Sequence, residues 1–497
     1  MKVNKFLSEN GFLFLLVLGA ALYFQHAWVQ GFFLDGYLYS AFAKHAAQNG
    51  DWLIPHLSKT TYSQFPVHPP FVFALNGLFF KVFGSSYTAA RIFSGLFSLV
   101  CLASVIRFTQ KHDNEEKAFL TGLIFILIPP LIKKTRFPSL DGPLMLFVFL
   151  SLYFYFEAYK KNKSSSWLLC GVFFGLSLLT KGPMAGLIPL AILVHLAFTK
   201  SFIKLKQLLP WLSFLLGFVI FSLWPIALLI KGRSDVLNLY IESTFFHTML
   251  EGRGVTKFNY FDYVVFLLKQ TGPWLLLSLY SLYRIKKGFK NELLLFSCTT
   301  FFSLLVFLSI PKFKYSNYLL PLYPFYAIIA ANGLSFFLNS KKLENIKRAV
   351  LYLFVATSLT LLIFPLTVET RRDKPIFDIL KISKGLKRQP DLWLTINGSY
   401  PFYSLANLVG FELSGEVVNT SLVWLKGYLN GDQKLEFETE MPVSWGSMEP
   451  LILIRTKDFE DLKLKTGATL RSVAYFEKED IVVLIRSENI SSKGIKY

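Results

Sequence analysis

The feature that most constrains this chain is a succession of long apolar runs over its first three quarters. A helix that crosses a bilayer needs about 20 mostly apolar residues. Eleven stretches meet that requirement: 9–30, 88–107, 118–132, 141–158, 166–180, 183–198, 209–230, 263–283, 292–310, 317–336 and 348–367. Only 17% of the 497 residues are charged, too few for the surface of a soluble protein of this length. The sequence predicts an all-α polytopic membrane protein with about 11–13 transmembrane helices.

The basic residues indicate how these spans are oriented. A net charge of +20 would suit a nucleic-acid binder, but most Lys and Arg residues fall in short clusters between apolar runs, as in cytoplasmic loops. With the N-terminus inside, the expected inner loops contain the clusters at 107–117, 160–163, 200–206, 284–290 and 341–348. We therefore predict a multi-pass membrane protein with a cytoplasmic N-terminus, which does not bind nucleic acid; the resemblance described below implies the bacterial inner membrane.

Two apolar segments need separate treatment. The first run lacks a small-residue cleavage site, so we predict an uncleaved first helix rather than a signal peptide. The run 70–83 is short and contains Asn76 and Lys81, which predicts a helix lying at the membrane face within a large first outer loop, 31–87. The three cysteines lie within apolar runs and have the pattern of core residues, with no disulfide or metal spacing: Cys101, Cys170 and Cys298.

The chain changes character at about residue 368. The segments "LWLTI" and "GEVVN" have the composition of strands, "LILIRTKDFEDLKL" predicts a strand followed by a short helix, and "SVAYFEKEDIVVLIR" predicts a hairpin. We therefore divide the chain into a transmembrane domain, 1–367, and a small soluble α/β domain, 368–497, on the periplasmic side.

The outer loops carry cations where the positive-inside bias would exclude them. They are found in "LIKKTRFPSLDGPL", "LLTKGPMAG", "HTMLEGRGVTKF" and "IPKFKYSNYLLPLYP". Such cations beside a bilayer indicate an anionic partner, above all the phosphate or pyrophosphate group of a lipid. Contact with ordinary lipid headgroups is the alternative for any single Lys.

Two acidic residues on the same side are candidates for acid–base work. Asp35 follows the first span within the aromatic stretch "FFLDGYLY", where partial desolvation would raise its pKa and let it accept a proton. The alternative is a helix-end or turn Asp bound by local amides. Asp141 opens an apolar run, so it is either an N-cap or an orienting carboxylate, and the two roles can coexist.

The first outer loop adds Tyr62 and His68 to the candidates. His68 can bind a phosphate or a metal, or be an ordinary interfacial histidine. A divalent-metal site would draw on Asp35, His68 and His247, but their spacing is not compact.

The motifs together resemble a known family. "GDW", "HPPF", "LDGPL", "LTKGP" and "PKFKYSNYLLPLYPFYAIIAA" are similar to bacterial polyprenyl-phosphate-dependent glycosyltransferases, the membrane transferases related to protein O-mannosyltransferases and the lipid A aminoarabinose transferase. The resemblance covers residues 10 to 340. This chain differs from the family at Gly36, where many relatives have Glu, and at "VHP", where aminoarabinose-type members have "EKP".

The resemblance implies a GT-C fold and transfer of a sugar from a polyprenyl (undecaprenyl) phosphate donor to lipid A, another envelope glycan or protein on the periplasmic side. Asp35 and Asp141 would be the catalytic acidic residues. The residues implied for phosphate or donor binding are Arg136, Lys181, Lys312, Lys314 and Arg253, with Tyr62 and His68 from the first loop. No cofactor would be required because the donor lipid is already activated; a divalent metal is compatible with these residues.

Three other functions remain open on the sequence. A polyprenyl-diphosphate donor would use similar cations. A lipid or solute transporter would be expected to show inverted repeats, and we find none in the sequence. A non-catalytic scaffold of an envelope complex would not need cations in the outer loops.

Overall fold

The computed structural model describes residues 2–32, 34–58, 61–136, 138–244, 260–272, 274–311, 314–338, 340–363, 374–397, 402–413, 415–420, 425, 449–463, 470–478 and 480–486. Contacts between Cα atoms divide the chain into two compact units. The first comprises Met1–Val29 and Pro66–Val368, and the second comprises Gln30–Phe65 and Glu369–Tyr497. The second unit thus includes more than half of the first outer loop, a segment that the predicted division assigned to the transmembrane domain.

The first unit is helical. Its α-helices are α1 (Lys2–Phe24), α3 (Phe71–Phe83), α4 (Tyr87–His112), α5 (Glu115–Ile126), α6 (Pro129–Lys134), α7 (Asp141–Lys161), α8 (Ser164–Lys181), α9 (Leu187–Phe198), α10 (Leu208–Ile230), α11 (Ser234–Ile241), α12 (Asp262–Thr271), α13 (Trp274–Lys286), α14 (Glu292–Ser309), α15 (Tyr323–Ser335) and α16 (Ser340–Ile363). Short 3₁₀ segments occupy Gly182–Gly186, Phe202–Lys206 and Ser316–Leu322.

Five helical segments among the described residues are long and apolar enough to cross a membrane: Tyr87–His112, Asp141–Lys161, Ser164–Phe198, Leu208–Ile230 and Glu292–Ser309. Helix α10 leaves many large apolar side chains exposed, including Leu215, Phe218 and Leu223, which suits contact with lipid. The fold is that of a polytopic helical membrane protein, as predicted. Helix α3 forms where an interfacial helix was predicted; its position relative to the membrane stays a prediction.

Three of the predicted spans are interrupted rather than continuous. The stretch 118–132 is divided between α5 and α6 at Pro129–Pro130, and 263–283 is divided between α12 and α13 after Gly272. The stretch 317–336 begins as a 3₁₀ segment containing Pro321. Proline removes a backbone donor and clashes with the preceding turn, so these breaks follow from residues that an apolar-run criterion ignores.

The second unit contains a five-stranded mixed sheet. Its strands are β1 (Leu392–Ile396), β2 (Glu416–Thr420), β3 (Pro450–Ile454), β4 (Leu470–Phe476) and β5 (Ile481–Arg486), in the order β2-β1-β3-β5-β4. β1 pairs in parallel with β2 and β3, while β5 pairs in antiparallel with β3 and β4. The strands and the hairpin predicted from the tail are confirmed, and the domain is α/β as predicted.

The helices of this unit whose bounds the described residues give are α2 (Leu34–Asn49), α17 (Lys374–Lys384), α18 (Phe402–Glu412) and α19 (Thr456–Lys463). Buried apolar side chains of β1, β3 and β5 form its core, among them Leu394, Ile452 and Leu484. Helix α2 packs against α18, so the helix that follows the first span shares a core with the C-terminal domain.

Candidate functional site

A buried ion pair joins the start of α7 to the end of α8. Lys181 Nζ lies 2.5 Å from Asp141 Oδ1, and each side chain is only 10% exposed. Leu140 occupies the N-cap position and makes no side-chain capping bond, so Asp141 is the first helical residue and the N-cap interpretation is wrong. Its carboxylate lies at the positive end of the α7 dipole as well as beside Lys181, so positive charge faces it from two directions.

The turn after Lys181 depends on the glycine that follows it. Gly182 has φ +49°, and a Cβ there would lie 2.3 Å from Tyr240 Oη. A residue with a side chain would therefore meet both backbone strain and a clash with α11. The glycine of "TKGP" therefore allows the backbone turn that ends α8 at Lys181.

The 3₁₀ segment Ser316–Leu322 closes another side of the pair. The Lys181 ammonium lies 4.5 Å from the centroid of the Tyr318 ring, a cation–π contact. The segment packs against α6, α7, α12 and α14, so several helices contact the segment that carries Tyr318.

Lys314, two residues before the 3₁₀ segment, is a second buried cation. Its side chain is almost completely buried, and Nζ donates a hydrogen bond to Pro311 O at 2.8 Å. The ring of Tyr260, at the start of α12, lies with its centroid 5.6 Å from Nζ. An ammonium held by one carbonyl and one ring retains hydrogen-bonding capacity, because a Lys has three donors.

Two buried arginines bind the chain that follows α1. Arg136, a predicted donor-binding residue, donates from Nη2 to Gln25 O at 2.9 Å, and burial lowers the pKa of its guanidinium. Arg91 on α4 donates to Ala27 O at 2.9 Å and also to Val29 O. Sequence reasoning missed Arg91, although an arginine inside an apolar run is a signal that could have identified it.

His68 lies near the turn that follows Lys181. Ser243 and Thr244, after α11, donate to Pro66 O at 3.5 Å and Val67 O at 3.4 Å, so the segment leading to His68 is attached to α11. Tyr240 of the same helix contacts Gly182. The imidazole of His68 is half-buried.

The other two described candidates belong to the second unit. Asp35 lies in the first turn of α2 and its side chain is exposed, so the predicted partial desolvation is not observed. Tyr62 has φ +48° and its ring meets the edge of Phe65 with centroids 5.6 Å apart. Nearby on α2, burial together with the neighbouring His56 lowers the pKa of His45.

The remaining candidates lie outside the described residues: Lys312, Arg253 and His247. Within the described part of the chain, no three His, Cys, Asp or Glu side chains are grouped so that they could hold a metal ion. The metal prediction that involves His247 therefore stays a prediction.

The arrangement around Asp141 can bind an anion. Lys181 at the end of α8, Lys314 before the 3₁₀ segment and Arg136 after α6 place buried positive charge in the first unit, and Asp141 orients Lys181 rather than facing water. Buried cations interact with a phosphate more strongly than surface cations do, because less solvent screens them.

Comparison with known proteins found a family that matches part of the chain, relatives of similar sequence and a solved structure of similar fold. Residues 67–225 match the family described as dolichyl-phosphate-mannose-protein mannosyltransferase. An uncharacterized protein of Aquifex aeolicus is 24% identical over 373 residues, 75% of this chain and 72% of that protein. The undecaprenyl phosphate-alpha-4-amino-4-deoxy-L-arabinose arabinosyl transferases of Shewanella sediminis and Serratia proteamaculans are 24% and 26% identical over 60% and 57% of this chain. The chain covers 55% and 51% of their length, about half of each.

The fold is found in a solved structure. The crystal structure of ArnT from Cupriavidus metallidurans bound to undecaprenyl phosphate matches 98% of this chain and 100% of that chain, with a TM-score of 0.70 and 15% identity. The apo form of the same protein also matches with a TM-score of 0.70. Asp141, Lys181, Arg136 and His68 all fall within the segment that matches the mannosyltransferase family.

Proposed function

We propose, from the premise that this chain is a membrane glycosyltransferase of the GT-C fold, that it transfers a sugar from a polyprenyl (undecaprenyl) phosphate donor to an acceptor on the periplasmic side of the bacterial inner membrane. Lipid A, another envelope glycan and protein are the acceptor classes that fit. The observation that carries the proposal is the buried Asp141–Lys181 pair beside the 3₁₀ segment Ser316–Leu322, with the buried cations Lys314 and Arg136 in the same unit.

The cations act on the leaving group. When the bond between the sugar C1 and the phosphate oxygen breaks, the electron pair stays on that oxygen and the phosphate gains negative charge. Lys181 and Lys314 stabilise this charge without reorganising, because Asp141 and the Pro311 carbonyl already fix them. One such preorganised donor typically contributes about 3 kcal/mol to lowering the barrier.

The acceptor supplies the other half of the reaction. Its hydroxyl or amine forms the new bond to C1 and must lose a proton, which we assign to Asp35 as general base. The assignment rests on the place of Asp35 in the sequence after the first helix, and on its exposed carboxylate at the start of α2. Arg136, His68 and Tyr62, together with Lys312 and Arg253, are the remaining donor-binding candidates.

No cofactor is needed for this reaction, because the sugar is already activated by the phosphate. A divalent metal bound by Asp35, His68 and His247 would be an additional source of positive charge for the phosphate. Transfer measured in the presence of a chelator decides whether one takes part: undiminished transfer would remove the metal from the proposal.

The assignment of Asp35 is tested with purified protein, labelled polyprenyl-phosphate sugars and membrane acceptors. We expect Asp35→Asn to lower the transfer rate by about 100-fold or more, because general-base catalysis contributes at least that much. Asp378→Asn is the matched control: its side chain is 38% exposed in the same unit, and its Oδ1 lies 3.5 Å from Lys381 Nζ on the same helix. Undiminished transfer by Asp35→Asn would rule out the assignment. Uptake of solute by vesicles, with no transfer from any monophosphate donor, would instead indicate a transporter.

The periplasmic location is tested independently of the chemistry. Reporter fusions after residues 165 and 400 should report the inside and the outside of the membrane respectively. The opposite result would place the acceptor and both acidic residues on the cytoplasmic side.

A further inference from the structure

The helix that carries Asp35 is built into the core of the C-terminal α/β domain. The ring of Phe411, at the end of α18, lies 5.5 Å from Phe32 and 6.4 Å from Tyr37, centroid to centroid. At Gly410 a Cβ would lie 2.4 Å from Leu57 Cδ1, so α18 approaches the first-loop segment closely. These contacts join parts of the chain more than 350 residues apart.

One polar contact holds the two helices together. Lys44, on α2, donates from Nζ to Phe411 O at 2.9 Å and to Leu413 O at 2.7 Å. The last carbonyls of a helix lack partners within the helix and form its negative end. A Lys there donates hydrogen bonds to these carbonyls and also places a positive charge beside the negative end. The side chain is half-buried, and burial lowers the pKa of its ammonium group.

Two further contacts attach the same first-loop segment to the domain. Thr61 Oγ1 donates to Val417 O in β2 at 3.3 Å, and Gln30 Nε2 donates to Glu412 Oε1 at 3.3 Å. The segment 30–65 is therefore bound near both of its ends as well as at Lys44.

The partner of Lys44 is itself held by the sheet. Helix α18 connects β1 to β2, which pair in parallel, and it packs against β2. A crossover helix between two parallel strands cannot shift without disturbing both strands. Lys44 thus attaches α2 to a helix that connects two paired strands of the sheet.

We propose that Lys44 is a positioning residue that fixes the orientation of α2, and through it Asp35, on the α/β domain, which makes this domain part of the catalytic unit. Lys44 is nine residues from Asp35 on one rigid helix, so a change in the α2–α18 contact is transmitted to the carboxylate. The inference rests on the proposed role of Asp35 as base.

The test uses the full-length protein reconstituted in lipid, with labelled donor and saturating acceptor. We expect Lys44→Met to lower kcat at least 10-fold while KM for the donor changes less than 2-fold, because the donor phosphate is bound elsewhere. Lys44→Arg retains donors for the two carbonyls and should restore most of kcat. The matched control is Lys384→Met, which removes a cation from the same end of α18, where Lys384 lies 3.3 Å from Glu412, without touching α2; its kcat should stay within 2-fold.

Stability must be separated from positioning. Each variant is compared at equal amounts of folded protein, judged by its thermal unfolding, and Lys44→Gln serves if Lys44→Met does not fold. A kcat that falls only in proportion to the folded fraction would overturn the proposal. So would normal kcat in Lys44→Met while Asp35→Asn is inactive, a result that leaves the proposed function intact. Full activity of Asp35→Asn would rule out both the positioning role of Lys44 and the assignment of Asp35 as general base.

Discussion

Helix α7 carries a buried, ion-paired carboxylate at each end, and the two ends differ in what surrounds them. Asp141 is its first residue, and Glu157 lies 16 residues later, about 24 Å along the helix axis. Glu157 is bound on both oxygens: Oε2 lies 2.7 Å from Lys111 Nζ, and Oε1 lies 2.5 Å from His112 Nε2. Asp141 is paired with Lys181 at 2.5 Å.

We propose a functional role for the pair at Asp141 and a structural one for the Glu157 cluster, and their surroundings differ. The Glu157 cluster lies among aromatic rings, with Phe108 and Phe156 both about 5 Å from the His112 ring, and Lys111 is 44% exposed. At Asp141 the backbone turns through 3₁₀ segments, and Lys181 is only 10% exposed, with its ammonium against the Tyr318 ring. Both carboxylates are buried and paired near a helix end, so burial and pairing alone do not identify a site; the buried Lys181 and the irregular backbone beside it distinguish the Asp141 end.

The largest effect should follow from removing the Lys181 cation. We expect Lys181→Met to lower the transfer rate by about 100-fold or more, because the leaving phosphate loses a preorganised cation. The measurement is the initial rate with labelled donor at saturating acceptor. Lys111→Met, at the other end of α7, is the control and should keep a near-normal rate per folded molecule. Equal losses in the two variants would mean that the two ends do not differ as described.

Breaking the Glu157 cluster should affect stability rather than chemistry. Glu157→Leu removes the carboxylate shared by Lys111 and His112, and buried pairs broken on one side typically cost about 3–5 kcal/mol. We expect the lower end of that range, about 3 kcal/mol, because Lys111 is 44% exposed and can be hydrated again. Thermal unfolding measures the loss. Normal stability together with loss of transfer would show that this end of α7 takes part in the reaction.

The smallest effect should come from the exposed pair near the same end of α7. Lys160 and Glu292 form an ion pair with side chains that are 37% and 66% exposed. Exposed pairs contribute less than about 1 kcal/mol, so Lys160→Gln should leave both unfolding temperature and transfer rate nearly unchanged. A shift as large as that of Glu157→Leu would indicate that exposure is not what separates the two pairs.

The sequence predicted the local features of both units well. Strand composition identified β1, β2 and the β4–β5 hairpin, and apolar runs located α4, α7, α8, α10 and α14. Asp141 and Lys181 were identified as candidates because they are charged residues at the boundaries of apolar runs. Each of these signals is contained within about 20 neighbouring residues.

The features that the sequence did not reveal depend on contacts between distant residues. Nothing near Asp141 shows that its partner is Lys181, 40 residues away, and Arg136 bonds a carbonyl 111 residues earlier. The attachment of α2 to α18 through Lys44 joins residues 367 apart. Periodicity and capping rules describe neighbours along the chain and give no register between helices, so pairing and burial had to come from the structure.

Binding of the donor's lipid phosphate is the most direct test of the site at Asp141 and Lys181. Undecaprenyl phosphate without sugar is added to the purified protein in lipid, and the shift in thermal unfolding is recorded for wild type, Lys181→Met and Glu157→Leu. At a concentration 100 times Kd, a bound ligand adds about 2.7 kcal/mol to stability. We predict this shift for wild type and Glu157→Leu, and its loss in Lys181→Met. An undiminished shift in Lys181→Met would contradict the assignment of the phosphate to this end of α7.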